Sequence, residues 1–275
     1  MERKVEFRNS AQGGAGRNGP SRYKPASRGG QWPVPGGACG RARPIVQPGW
    51  TGVGPRGTIG PEEVELARFE VGTPTDAEHS LYPLLIGFVN PRPIALVSTL
   101  SARGETNLAP FSFYNLVSSQ PPVAMFAPAT RPDGRPKDTL QNVRDTGEFV
   151  IATVSTAIAS QAVKCAADLD PGESEFDFSA LTPAPASHVK APLVRESPVN
   201  IECTLREILT FGNGPGTGNA VFGDIRVLHV DDAILDERGR IDPHKLQTVG
   251  RLGGRWYCTV RDPYELRIPE RDTRR

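Results

Sequence analysis

Residues Val199 to Arg206 read Val-Asn-Ile-Glu-Cys-Thr-Leu-Arg, an unbroken alternation of apolar and polar side chains. An extended strand sorts such a run onto one buried and one polar face, because its side chains alternate with period two. The run Gly212-Asn-Gly-Pro-Gly-Thr-Gly218 then breaks the chain, and Val221 to Val230 is strand-like again. The pair reads as a hairpin with a long glycine loop. That loop has no G-x-G-x-x-G spacing and leads into a strand rather than a helix, so a dinucleotide-binding doubly wound sheet fits poorly.

The rest of the chain supports the same class. Arg92 to Leu100, Val123 to Phe126 and Phe149 to Val154 are nearly all apolar, as in strands covered on both faces. Lys137 to Asp145 is predicted helical, ending before Gly147, with a second helix over Ala157 to Ala167 and a loop over Asp168 to Glu173. Asp242 to Val249 reads as a short helical piece. Trp256 to Val260 and Tyr264 to Ile268 read as final strands. Many strands, few helices and no regular β-α alternation predict a mainly β (α+β) fold, a β-barrel with added helices.

Charge is distributed unevenly. Residues 1 to 60 carry ten Lys/Arg against two Glu, and 21 of those 60 residues are Gly or Pro. So little apolar surface cannot offset the entropy of ordering, which predicts a disordered extension over residues 1–61 and a folded domain over 62–275. The extension lacks aromatic interleaving, and the whole chain has a formal net charge of only +1, so nucleic acid is not an expected partner. Met1-Glu2-Arg3-Lys4 is charged with no apolar stretch behind it, unlike a secretory signal. No run has the length of a membrane span. Cys39, Cys165, Cys203 and Cys258 are far apart, as expected of free thiols in the cytoplasm rather than of a disulfide framework or zinc site.

Chemistry concentrates between Arg92 and Lys137. The apolar strand ends in Ser98-Thr99, a turn follows at Ala102-Arg103-Gly104-Glu105, and then comes Asn107-Leu-Ala109-Pro110-Phe-Ser112-Phe113. Asn and Ser side chains reach hydroxyls and carbonyl oxygens, and small residues let a backbone approach a planar ring; the same residues also make ordinary turns. Lys137-Asp138-Thr139 opens a helix. A lysine ammonium and a helix N-terminus both attract phosphate, and Asp138 or Thr139 is placed to cap the helix. Gly250-Arg251-Leu252-Gly253-Gly254, followed by Trp256-Tyr257, adds a late cation, either a ligand contact or a surface ion pair. His229 falls on a strand face with Val221, Ile225 and Val227, where a hydrogen-bonded packing role is expected. His79, His188 and His244 show no metal spacing, and no metal is expected.

In their order, these pieces resemble the flavin-reductase-like proteins, over about residues 80 to 268. The resemblance implies an FMN-binding split β-barrel and a homodimer with the flavin at or near the subunit interface. It implies hydride transfer from NADH or NADPH to FMN, with reduced flavin passed to a partner flavin-dependent monooxygenase or another acceptor. It places Ser98, Thr99, Asn107, Ala109, Pro110, Ser112, Phe113, Lys137, Asp138, Thr139 and Arg251 at the cofactor, and Glu173 to Phe176 in a loop over the site. Many such proteins have a histidine just before the G-R-x-G-G segment, where this chain has Gln247-Thr248. A non-catalytic flavin carrier or sensor, and an oxidase of the pyridoxamine-phosphate type, stay open as alternatives.

Overall fold

The computed structural model describes residues 45–47, 64–66, 81–169 and 173–268. The chain divides into two units, Met1–Val71 and Gly72–Arg275. In the first, β1 (Ile45–Gln47) pairs antiparallel with β2 (Val64–Leu66). The rest of the extension expected to be disordered lies outside the described residues.

The second unit is built on one antiparallel sheet. Its strands are β3 (Ala95–Leu100), β4 (Thr106–Phe111), β5 (Tyr114–Ser119), β6 (Pro122–Phe126), β7 (Glu148–Thr153), β10 (Val199–Thr210) and β11 (Asn219–Val230), in the order β4-β3-β7-β10-β11-β6-β5. A short pair, β8 (Pro183–Ala184) with β9 (Leu193–Val194), stands apart from it. The two edge strands, β4 and β5, are consecutive in the chain and joined only by Ser112 and Phe113. Three peptide links span at most about 10 Å, so both edges of the sheet must lie side by side. The sheet therefore curls into a barrel. Among the described residues β4 and β5 do not pair with each other, so the barrel is split at this seam. Pro110 lies in β4, where an edge strand tolerates the missing N–H.

Alternate residues of β3 and β7 serve two separate cores. Ala95, Val97, Phe149 and Ile151 point into the barrel, against Phe111, Phe126 and Val221 and against Val199, Ile201 and Cys203 of β10. Ile94, Leu96, Ala152 and Val154 point outward, against Ile158, Ala162 and Phe176 of two helices, α3 (Ala159–Lys164) and α4 (Glu175–Ser179), and the residues flanking them. The apolar runs Ala95 to Val97 and Phe149 to Ala152 reflect strands covered on both faces. Inside the barrel the Phe126 ring lies edge-on to Phe149, with centroids 5.3 Å apart. The helix α2 (Asp138–Thr146) contributes Leu140 and Val143 to the same core. It ends at Gly147, whose φ of 70° is the left-handed conformation that glycine adopts without strain.

Several elements differ from the sequence expectation. Tyr82–Phe88 forms a helix, α1, with proline in its first turn, and α4 begins within the Glu173 to Phe176 segment that the family resemblance implies to be a loop. The helical piece expected over Asp242 to Val249 is a single turn, after which Thr248 bridges to Ser155 and β12 (Val249–Arg251) pairs with β13 (Tyr257–Thr259). Tyr264 to Ile268 is not a strand; its apolar side chains are exposed. His229 does not share the inner face with Val221 and Ile225. A bulge leaves Arg226 unpaired between Ile225 and Val227, and one extra residue reverses the alternation beyond it.

That reversal brings His229 to the outer side of β10, where Glu202 stands. Glu202, expected on a polar face, is fully buried. Its carboxylate accepts hydrogen bonds from the backbone N–H groups of Ser187, His188 and Val189, from the Ser187 hydroxyl and from His229 Nε2. The segment between β8 and β9 is thereby clasped to the barrel wall. Burial pushes the Glu202 carboxyl up, but the bonds from Ser187, His229 and Val189 outweigh it and hold the pKa at about 2. A carboxylate depressed in the folded state adds stability that is complete above the ordinary carboxylate range and is lost as pH falls toward 2. Urea denaturation at a series of pH values should therefore show about 3 kcal/mol of stability disappearing across that window, and Glu202→Gln should remove that pH dependence.

Candidate functional site

The outer ends of β4, β7 and β12 enclose a cleft of about 320 Å³ with α1 and α3. Ile94, Val154 and Val249 form an apolar wall, and Ala159, Ala162 and Ala166 keep one side shallow. Pro110, Ser112, Tyr82, Lys137, Arg251 and Tyr257 complete the lining. Apolar walls with a few placed polar groups are typical of small-molecule sites.

Lys137 stands at the start of α2. It is the N-cap residue, in extended conformation, and no side chain caps the helix. The expectation that Asp138 or Thr139 caps it is not met, because both side chains are engaged elsewhere. Asp138 pairs with Arg131 at 2.6 Å, and the Thr139 hydroxyl accepts from Asn107. The first helical bond runs from Gln141 N–H to the Lys137 carbonyl, so the N–H groups of Asp138, Thr139 and Leu140 have no acceptor within the helix. Lys137 Nζ lies 5.8 Å from the centre of the Phe111 ring and has no carboxylate partner among the described residues.

Three of the candidate residues act together beneath this helix. Asn107 Nδ2 donates to Thr99 Oγ1 at 3.1 Å and to Thr139 Oγ1 at 2.9 Å, while Asn142 Nδ2 donates to Thr99 Oγ1 at 3.0 Å. All four side chains are buried. Two strands and the start of α2 are thus tied by a network in which both Asn107 amide donors and one of Asn142's find acceptors, which fixes the direction of the helix axis.

Arg251 projects from β12, stacked 4.5 Å over the Tyr257 ring and hydrogen-bonded to its hydroxyl and to the Gly254 carbonyl. The neighbouring Gly250 admits no side chain, since a Cβ there would sit 2.6 Å from Pro91 Cβ. This close approach presses β12 onto the segment carrying Arg92, and the Arg92 and Arg251 backbones bridge.

The structure thus brings Pro110, Ser112, Lys137 and Arg251 to one cleft. It places Thr99, Asn107 and Thr139 in the support behind it. Ala109 faces the barrel core, Phe113 is half-exposed 6.0 Å from the Arg92 guanidinium, and Asp138 is at the surface. Ser98 is fully buried, and its hydroxyl has no hydrogen-bond partner among the described residues. Tyr82, Arg92 and Tyr257 are not among the sequence candidates. Tyr257 adjoins the G-R-x-G-G segment and could be found there; Tyr82 and Arg92 carry no local signal. In the expected covering segment, Glu175 instead reaches β4, where its carboxylate accepts from Leu108 N–H. Burial raises the Glu175 pKa above the ordinary value.

Thr139→Val keeps the shape of the side chain but leaves an Asn107 donor without its acceptor. It should cost about 1–3 kcal/mol, measured as a lower midpoint in chemical denaturation.

The model of the flavin reductase like domain matches residues 88–243. A protein of Aquifex aeolicus is 38% identical over 194 residues, 70% of this chain and 96% of that one. The structure of nitrilotriacetate monooxygenase component B from Bacillus cereus superposes with a TM-score of 0.67 at 30% identity, covering 73% of this chain and 100% of that one. A Shewanella frigidimarina protein with a split barrel domain gives 0.60 at 28% identity, covering 73% and 100%. The matched segment contains the split sheet, the β4–β5 seam and Lys137, and the chain belongs to the flavin reductase like domain family.

Proposed function

We propose that this protein is an NAD(P)H-dependent flavin reductase that holds FMN in the cleft between α1, α3 and β12. The observation that carries this reading is the pair of cations, Lys137 and Arg251, on one cleft beside an uncapped helix start. Neither has a carboxylate partner among the described residues. Free N–H groups, a positive helix end and an unpaired ammonium suit a phosphate. The apolar wall and the alanines of α3 suit a planar ring.

When bound, FMN supplies the two-electron acceptor that a nicotinamide hydride can reduce. The chain's own residues hold and orient. Lys137 and the α2 N–H groups bind the phosphate, and the Thr99-Asn107-Thr139 network keeps that helix end aimed. Ile94, Val154 and Val249 keep water from the ring. Hydride transfer needs little acid-base help, so alignment of the two rings carries the rate. Exposed Leu116 and Val117 on β5, with Leu209 and Phe211 at the β10–β11 tip, support a homodimer. The likeness to a monooxygenase component supports delivery of reduced flavin to a partner monooxygenase. Among the described residues no helix is long and apolar enough to cross a membrane.

Purified protein should bind FMN, and NADH or NADPH oxidation should depend on added FMN. Flavin binding without nicotinamide oxidation would favour a carrier; failure to bind FMN would remove both readings. Lys137→Ala should weaken FMN by about tenfold, the size of one charge-assisted hydrogen bond, and leave riboflavin affinity unchanged. Equal losses for the two flavins, in fluorescence-quenching titrations, would place the phosphate elsewhere.

A further inference from the structure

Arg92 is buried at 7% exposure and has no carboxylate partner among the described residues. Its guanidinium donates instead to three backbone carbonyls, those of Ile86 and Val89 (2.7 Å each) and Leu252 (3.0 Å). Its Nε donates to Ser112 Oγ at 3.3 Å. One side chain therefore joins α1, the loop after β12 and the β4–β5 seam, and each of these elements borders the cleft.

The bond to Ser112 has a chemical consequence. A serine hydroxyl has one proton and two lone pairs. With one lone pair engaged by a cation, the oxygen is polarised, and its proton remains free to donate. Ser112 lines the cleft and makes no other side-chain hydrogen bond among the described residues. We infer that Arg92 is a positioning residue that fixes Ser112 as a hydrogen-bond donor into the cleft, selecting a ligand ring whose edge presents an acceptor, a carbonyl oxygen or an unprotonated ring nitrogen. The inference rests on the flavin reading of the same cleft.

The test is a double-mutant cycle on flavin binding, with Arg92→Lys, Ser112→Ala and the pair. Lysine keeps the charge and can still reach carbonyls, but lacks the Nε–H that meets Ser112. Each single variant should weaken FMN and riboflavin alike by about tenfold, and the double variant should be no weaker than either. Both should also lose the same shift in the visible absorption of bound flavin. Losses that multiply in the double variant, or an Arg92→Lys variant with native affinity and spectrum, would overturn the inference and leave the arginine as a clamp. Should Arg92→Lys prove unfolded, Ser112→Ala alone decides: a native spectrum and affinity there overturns the inference. Wild-type protein that binds no flavin would overturn the underlying reading as well, and is distinguished by failing before any variant is compared.

Discussion

The two-residue link between β4 and β5 is the constraint on which the second unit turns. Ser112 and Phe113 are too few to cross between the edges of a flat seven-stranded sheet, so the sheet has to close. Closure supplies the inner core around Phe126 and Phe149. It also leaves an unpaired seam, and the cleft opens beside it because Pro110 and Ser112 stand at its border. The covalent connection that shapes the barrel therefore also delivers one of the cleft residues, Ser112.

Polar groups buried away from water need partners, and here they decide which elements are held together. Thr99, Asn107, Thr139 and Asn142 hydrogen-bond one another between strand and helix. Glu202 collects its donors from a loop and from His229. Neither network lines the cleft, yet the first sets the direction of α2, whose first N–H groups have no acceptor within the helix. Apolar packing alone would leave that direction loosely defined, since it has little orientational preference.

Much of this was legible in the sequence where a pattern was local. The alternation from Val199 to Leu205 marks the strand, and the apolar runs of β3 and β7 mark strands covered on both faces. Gly147 marks a helix end. Bulges were not legible, because one extra residue at Arg226 changes no local pattern while reversing every side chain after it. For that reason alternation alone puts His229 on the wrong face. Glu202 looks solvated in sequence because the loop that covers it, at Ser187 to Val189, lies outside its own strand. The motif residues stand together in sequence, but the structure divides them between the cleft lining and the support behind it. Sequence adjacency cannot distinguish Asn107, which turns inward to Thr139, from Pro110, which turns outward to the cleft. Arg92 was missed because its partners are mostly carbonyl oxygens, one of them far along the chain, and a carbonyl is offered by every residue type.

Those carbonyls bear on the electrostatics of the cleft. A buried arginine paired with a carboxylate is neutralised at short range, whereas one held by carbonyl dipoles is solvated but keeps its full charge. Burial lowers the Arg92 pKa from the ordinary arginine value; Tyr82 opposes this in part, and the repulsion of Arg251 adds to it. Arginine stays protonated in proteins, so the charge persists. Arg251 and Lys137 line the cleft and Arg92 is bonded to its Ser112, so three positive charges gather about one partly enclosed space, where low-dielectric walls weaken screening. Such a field favours whatever form of a bound molecule carries more negative charge. Among the described residues none of the three cations is paired with a carboxylate, and pairing any of them with one would weaken that bias.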